Sequence, residues 1–152
     1  MRPPTKLLPL AAVMASWLLA VGAVNAQSYL CVSEMAAGLQ FDSVQKSWRS
    51  NVFTATSKFV VKRATSDEAR VGWKWAVWAL GRDSLPNFVC TEEFTGDGFL
   101  HCQGFGQFTM NRKNLRFISS YMTGFVDDGL SNPSRTEGGD TPSVNGGRCS
   151  PV

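Results

Sequence analysis

The sequence contains a single histidine, His101, which makes a nucleophile, base and acid set the first chemistry to consider. His101 stands beside Cys102 in a predicted strand, and neighbouring side chains of a strand point to opposite faces. The two residues are therefore not expected to form a thiol–imidazole pair. No Gly-x-Ser-x-Gly nucleophile motif occurs. We accordingly predict no catalytic residue and no enzyme activity, and keep a hydrolase that uses His101 with a loop acid as the alternative.

Carboxylates offer a second kind of chemistry, either as an acid–base pair or as metal ligands. Glu92 and Glu93 are adjacent in a predicted strand, so they face opposite sides and cannot act on one bond. The acids Asp127, Asp128, Glu137 and Asp140 lack the regular spacing of an EF-hand loop. We interpret them as solvated loop acids. No metal and no cofactor is predicted.

Aromatic side chains are the third candidate, because indole and phenol rings stack on sugars or line apolar cavities. Trp73 and Trp75 fall on one side of a predicted strand, and Trp78 falls on the other. Trp73, Trp75 and Tyr121 form the candidate ligand-binding set. The competing interpretation, which we favour, is that these rings fill the core of a small barrel.

The four cysteines favour two disulfide bonds. Between Cys90 and Cys102 lies a turn centred on Gly96, so a hairpin through this turn places the two cysteines directly opposite each other. Cys31 and Cys149 remain, and joining them ties the ends of the domain together. A zinc site is disfavoured, since no two cysteines have the close spacing of zinc ligands.

The first 26 residues have the three parts of a secretory signal. Arg2 and Lys6 precede an apolar stretch, and small residues end at Ala26, so we predict a signal peptide over 1–26 with cleavage before Gln27. An uncleaved membrane anchor is the alternative. Two of the 15 basic residues and none of the 12 acidic ones leave with the signal, so the mature net charge is about +1. This balance gives no reason to expect a nucleic-acid partner.

Short runs of aromatic and β-branched residues separated by turns predict an all-β domain over 27–152, an antiparallel meander that closes into a small barrel or sandwich. Within 65–81, a capping-box motif favours a helix, whereas the apolar run from Val71 to Leu80 favours a doubly buried strand, which we prefer. One helical turn is predicted at 33–37. A long surface loop is predicted over 127–148, which is rich in glycine, serine and proline. The predicted strands are 29–32, 39–41, 48–53, 58–63, 88–94, 99–105, 105–110 and 115–122.

Five short motifs are distributed along the predicted domain: Tyr29-Leu30-Cys31, Phe88-Val89-Cys90, Cys102-Gln103-Gly104-Phe105-Gly106, Asn114-Leu115-Arg116-Phe117 and Gly147-Arg148-Cys149-Ser150-Pro151. Together they resemble small exported proteins of alphaproteobacteria with four cysteines. The resemblance implies export and a two-disulfide pattern, and it implies no activity.

These observations predict a periplasmic or secreted protein that acts by binding. The expected ligand is a small amphipathic molecule, a glycan or an envelope protein. After cleavage of the signal no membrane-spanning segment is expected. A structural envelope protein without a ligand is the remaining alternative.

Overall fold

Strands dominate the computed structural model, which describes residues 28–82, 84–126 and 140–152. The elements are β1 (Ser28–Asp42), β2 (Ser47–Phe53), β3 (Lys58–Arg63), α1 (Ser66–Arg70), β4 (Trp75–Ala79), β5 (Phe88–Cys90), β6 (Phe99–Gly104), β7 (Gln107–Asn111), β8 (Arg116–Tyr121), α2 (Thr123–Val126) and β9 (Ser143–Pro151). None of the helices among these residues is long and apolar enough to cross a membrane.

Eight of the strands close into an antiparallel barrel. From β3 to β9 each strand pairs with the next, and β9 returns to pair with β1, which in turn pairs with β3. The ninth strand, β2, lies outside the barrel: it pairs with Ala36–Asp42, the half of β1 that extends past β3. The all-β fold is therefore confirmed, with a barrel rather than a sandwich.

Alternating side chains fill the barrel interior. In β3, Phe59 and Val61 are buried, and in β7 Phe108 and Met110 are buried, while the residues between them face outward. This period of two is what a strand with one face in a core requires. Phe117 and Ser119 of β8 follow the same pattern.

Both predicted disulfides are confirmed, and both point into the interior. Cys31 bonds to Cys149 across β1 and β9, and Cys90 bonds to Cys102 next to the paired residues of β5 and β6. The predicted hairpin register about Gly96 is correct, since Val89 pairs with Gln103. The pairing of β5 with β6 ends at Val89 and Gln103, however, and residues 91–98 form a wider loop than the predicted hairpin turn.

The helical turn predicted at 33–37 is wrong, because these residues belong to the 15-residue strand β1. They pair with β9 on one edge, and the register shifts between Ser33 and Met35 in a bulge. Backbone pairing with two other strands outweighs the weak local preference of Met35, Ala36 and Ala37 for a helix.

The ambiguous segment 65–81 contains both elements. Thr65 and Glu68 form the predicted capping box: the Thr65 amide donates to Glu68 Oε2 (2.7 Å), and the Glu68 amide donates to Thr65 Oγ1 (3.4 Å). The helix ends after one turn, and Gly72 follows it with a φ of 91° that favours glycine. The strand predicted over 71–80 is therefore shorter, Trp75–Ala79, and its first three residues are buried on both faces.

The loop predicted over 127–148 is wrong at its end, because Ser143 begins β9. Residues 127–139 lie outside the described part of the chain. Gly147 explains why this polar segment can pair: a side chain there would clash with the Val32 carbonyl, so glycine permits the close approach of β9 to β1. Main-chain pairing with β1 and β8, together with the Cys31–Cys149 disulfide, therefore holds β9 in place.

Candidate ligand-binding cleft

Aromatic rings occupy the centre of the barrel. Phe108 is fully buried, and its ring centroid lies 5.7 Å from Phe59, 5.7 Å from Phe88 and 5.4 Å from Phe117. The two disulfides complete this core.

One end of the barrel is closed by the loop that follows β5. Phe94 folds back so that its ring lies 5.1 Å from Trp75 and 5.9 Å from Tyr29. The Trp75 indole donates a hydrogen bond to Glu93 Oε2 (2.9 Å), and Arg63 donates to Glu93 Oε1 (2.9 Å). The Arg63 guanidinium also lies over the Trp75 ring, 4.8 Å from its centroid. These contacts fix Trp75 as part of the core.

The hydrogen bond from Trp75 and the contact with Arg63 lower the pKa of Glu93, although partial burial opposes them. A carboxylate whose pKa is lower in the folded than in the unfolded protein stabilises the fold at pH values above the unfolded-state pKa. This stabilisation is lost as the pH falls through the folded-state pKa. We therefore expect Glu93→Gln to lower the urea midpoint at pH 7 and to have a smaller effect at about pH 3. Glu92→Gln is the matched control, because Glu92 is exposed and makes none of these contacts. An equal loss for Glu93→Gln at both pH values would show that the ionised carboxylate contributes nothing.

The other end of the barrel is open and forms a cleft of about 390 Å³, which we call the end cleft. Buried rings of Phe59 and Phe88 and the buried Ser119 line its inner part. The turn between β6 and β7 contributes Phe105, whose side chain is 79% exposed. The end cleft thus joins an apolar inner surface to a rim that solvent reaches.

The end cleft has a positive rim, and none of its described lining residues is acidic. Lys58 and Arg82 are both exposed residues of its lining, and neither forms an ion pair with the described residues. Tyr121 also lines the cleft, and its hydroxyl donates to Asp140 Oδ2 (2.9 Å). Such a site suits a ligand with an apolar body and a negative group.

The structure does not bring the three predicted ligand-binding residues together. Trp75 is 3% exposed and lies at the closed end, where it pairs with Arg63 and Cys90. Trp73 is half-buried and precedes β4, with its amide bonded to the Glu68 carbonyl. Only Tyr121 lines the end cleft.

Sequence reasoning missed the end-cleft residues Phe105 and Arg82. One signal was present: Phe105 stands between Gly104 and Gly106, and a side chain at either glycine would clash with a neighbouring backbone carbonyl. The two glycines permit close approach of this connection to the neighbouring strands β5 and β8, and Phe105 lies between them.

His101 lies on the outer face of β6, opposite in direction to the buried Cys102, as predicted. Its Nδ1 lies 3.2 Å from Thr109 Oγ1, and its ring stacks on Phe99 at 5.9 Å. No carboxylate contacts it within the described ranges. Those ranges also contain no group of three potential metal ligands.

No family model, curated protein or solved structure matches this chain.

Proposed function

We propose that this chain is an exported binding module and that its ligand is a small amphipathic anion held in the end cleft. The observation that carries the proposal is the combination in one cleft of Phe59 and Phe88 with two exposed cations. These are Lys58 and Arg82, which form no ion pair with a described residue, and no acid occurs in the described lining. The apolar body of a ligand would contact the phenylalanine rings. Its negative group would remain at the rim, where solvation limits the cost of burying a charge.

Export is part of the proposal. The predicted signal over 1–26 supports it, and two buried disulfides are compatible with an oxidising compartment such as the periplasm or the extracellular space. A glycan is a weaker candidate ligand. Stacking on a sugar needs an exposed ring face, and the Trp75 ring is enclosed by Arg63, Tyr29 and Phe94.

Naphthoate and its neutral isostere naphthamide test the proposal by calorimetric titration of the oxidised protein. We expect naphthoate to bind more tightly, because only its carboxylate gains from the positive rim. Arg82→Gln should weaken naphthoate binding about twofold to fivefold, as expected for an exposed charge pair. The same substitution should leave naphthamide binding unchanged.

Arg70→Gln is the matched control, because the Arg70 side chain is 80% exposed on α1 and does not line the end cleft. Equal affinity for the two ligands, or insensitivity of naphthoate binding to Arg82→Gln, would contradict an anion site in the end cleft.

A further inference from the structure

A second concave site lies on the outer face of the barrel, away from the end cleft. It is an apolar groove of about 400 Å³ across β8, β9, β1 and β2, which we call the outer groove. Four exposed apolar side chains line it: Met35 (65% exposed), Val52 (82%), Ile118 (52%) and Val144 (37%). Glu34, which pairs with Arg148, is the charged residue of the described lining. An exposed apolar surface of this kind indicates a contact with another molecule.

Gly146 creates the depression. It pairs with Ile118 on one side and with Met35 on the other, so the middle position of this three-strand row has no side chain. A methyl group added at Gly146 would meet Met35 Cγ at 3.4 Å and Sδ at 3.6 Å, which is ordinary van der Waals contact. Alanine therefore fits the fold at this position and fills part of the groove.

Two arginines stand at the end of the outer groove, two residues farther along the same strands. Arg116 and Arg148 are exposed and directly opposite each other in the pairing of β8 with β9. Like charges in this arrangement are destabilising. Glu34 offsets Arg148 at 3.4 Å, whereas Arg116 has no ion pair within the described residues. A carboxylate supplied from outside would therefore gain mainly from Arg116, which no described acid offsets.

We propose that the outer groove binds an extended segment of a partner protein, one that carries an aliphatic side chain and a carboxylate two residues apart. In an extended chain such residues point to the same side and lie about 7 Å apart. Gly146 and Arg148 are likewise two residues apart in the extended strand β9, so the depression and the arginine pair have this same spacing. The aliphatic side chain fills the depression over Gly146, and the carboxylate lies between Arg116 and Arg148. The concave shape favours a protruding side chain over the flat surface of a membrane.

A fluorescein-labelled peptide tests the site by fluorescence anisotropy. In this peptide a leucine and a glutamate are two residues apart, and a threonine separates them. We expect the peptide to bind the oxidised protein, and a peptide with lysine in place of glutamate to bind much more weakly. Gly146→Ala should reduce the affinity at least about fivefold, because the added methyl group occupies the groove. Arg116→Gln should reduce it about twofold to fivefold.

Two control variants match these changes. Gly96→Ala adds a methyl group where no atom lies within 4 Å, and Arg70→Gln removes an exposed charge on α1. Both should leave peptide binding unchanged, and the urea midpoint of Gly146→Ala should remain close to that of the parent. Failure of the acidic peptide to bind, or equal binding of the lysine peptide, would overturn the proposal.

The proposal of a partner-protein segment would also be overturned if the outer groove bound a membrane surface or a second copy of the chain. Sedimentation of the protein with phosphatidylglycerol vesicles, lost in Gly146→Ala, would assign the outer groove to a membrane surface. Self-association that Gly146→Ala abolishes would assign it to a second copy of the chain.

Discussion

Replacing both Cys31 and Cys149 by alanine is expected to lower the free energy of unfolding by about 5 kcal/mol, from the chain entropy that the long loop restores to the unfolded state. This bond closes a sequence separation of 118 residues and joins directly opposed positions in the two strands that close the barrel. Removing it leaves only noncovalent pairing to hold β9 against β1. The measurement is guanidinium unfolding of the oxidised parent and the double variant.

The second disulfide supplies the matched comparison. Cys90 and Cys102 are equally buried, but they span only 12 residues. Replacing both by alanine should cost about 3 kcal/mol by the same estimate. Because both variants lose a similar buried sulfur pair, the difference of about 2 kcal/mol reports loop length. A reversed order of stabilities would contradict this explanation.

Phe108→Ala is expected to cost about 3–5 kcal/mol, because it removes a fully buried ring and leaves a cavity. Phe108 contacts three other aromatic rings and has no exposed surface, so its neighbours cannot collapse easily into the space. Chemical unfolding with both disulfides intact gives the value.

Phe105→Ala removes the same atoms three residues earlier, where the side chain is 79% exposed. It should cost less than about 1 kcal/mol. A loss below about 1 kcal/mol for Phe108→Ala as well would mean that the barrel interior is not the close-packed core described above.

The contacts that sequence predicted best are local ones. The hairpin about Gly96 and the turn between β7 and β8 follow from turn residues flanked by alternating side chains. The cysteine pairing followed because one hairpin register used two of the four cysteines. In each case the residues that determine the structure lie within a few positions of each other.

Contacts distant in sequence were harder to predict. Met35, Ala36 and Ala37 carry no local signal for a strand, and they become part of β1 only because β2 and β9 lie on either side of it. The polar residues 143–148 likewise pair through their main chain, which composition does not reveal.

The candidate site was the hardest feature to predict from the sequence, because closure of the barrel brings its residues together. Lys58, Arg82, Phe105 and Tyr121 come from four separate parts of the chain and meet only at the open end. The tryptophans drew attention because large rings favour binding sites, but the same size makes Trp75 suitable for closing the opposite end. Alternation within a strand predicts which face a residue occupies, but not which end of a barrel it lies near.

Titration of the isotope-labelled oxidised protein with naphthoate, followed by amide and indole proton–nitrogen correlation spectra, tests the ligand site most directly. An anion site in the end cleft predicts saturable shifts at the amides of Arg82, Phe105 and Tyr121, with the indole signal of Trp75 unmoved. Shifts confined to the Trp75 indole and the Phe94 amide, with the end-cleft amides unchanged, would contradict it.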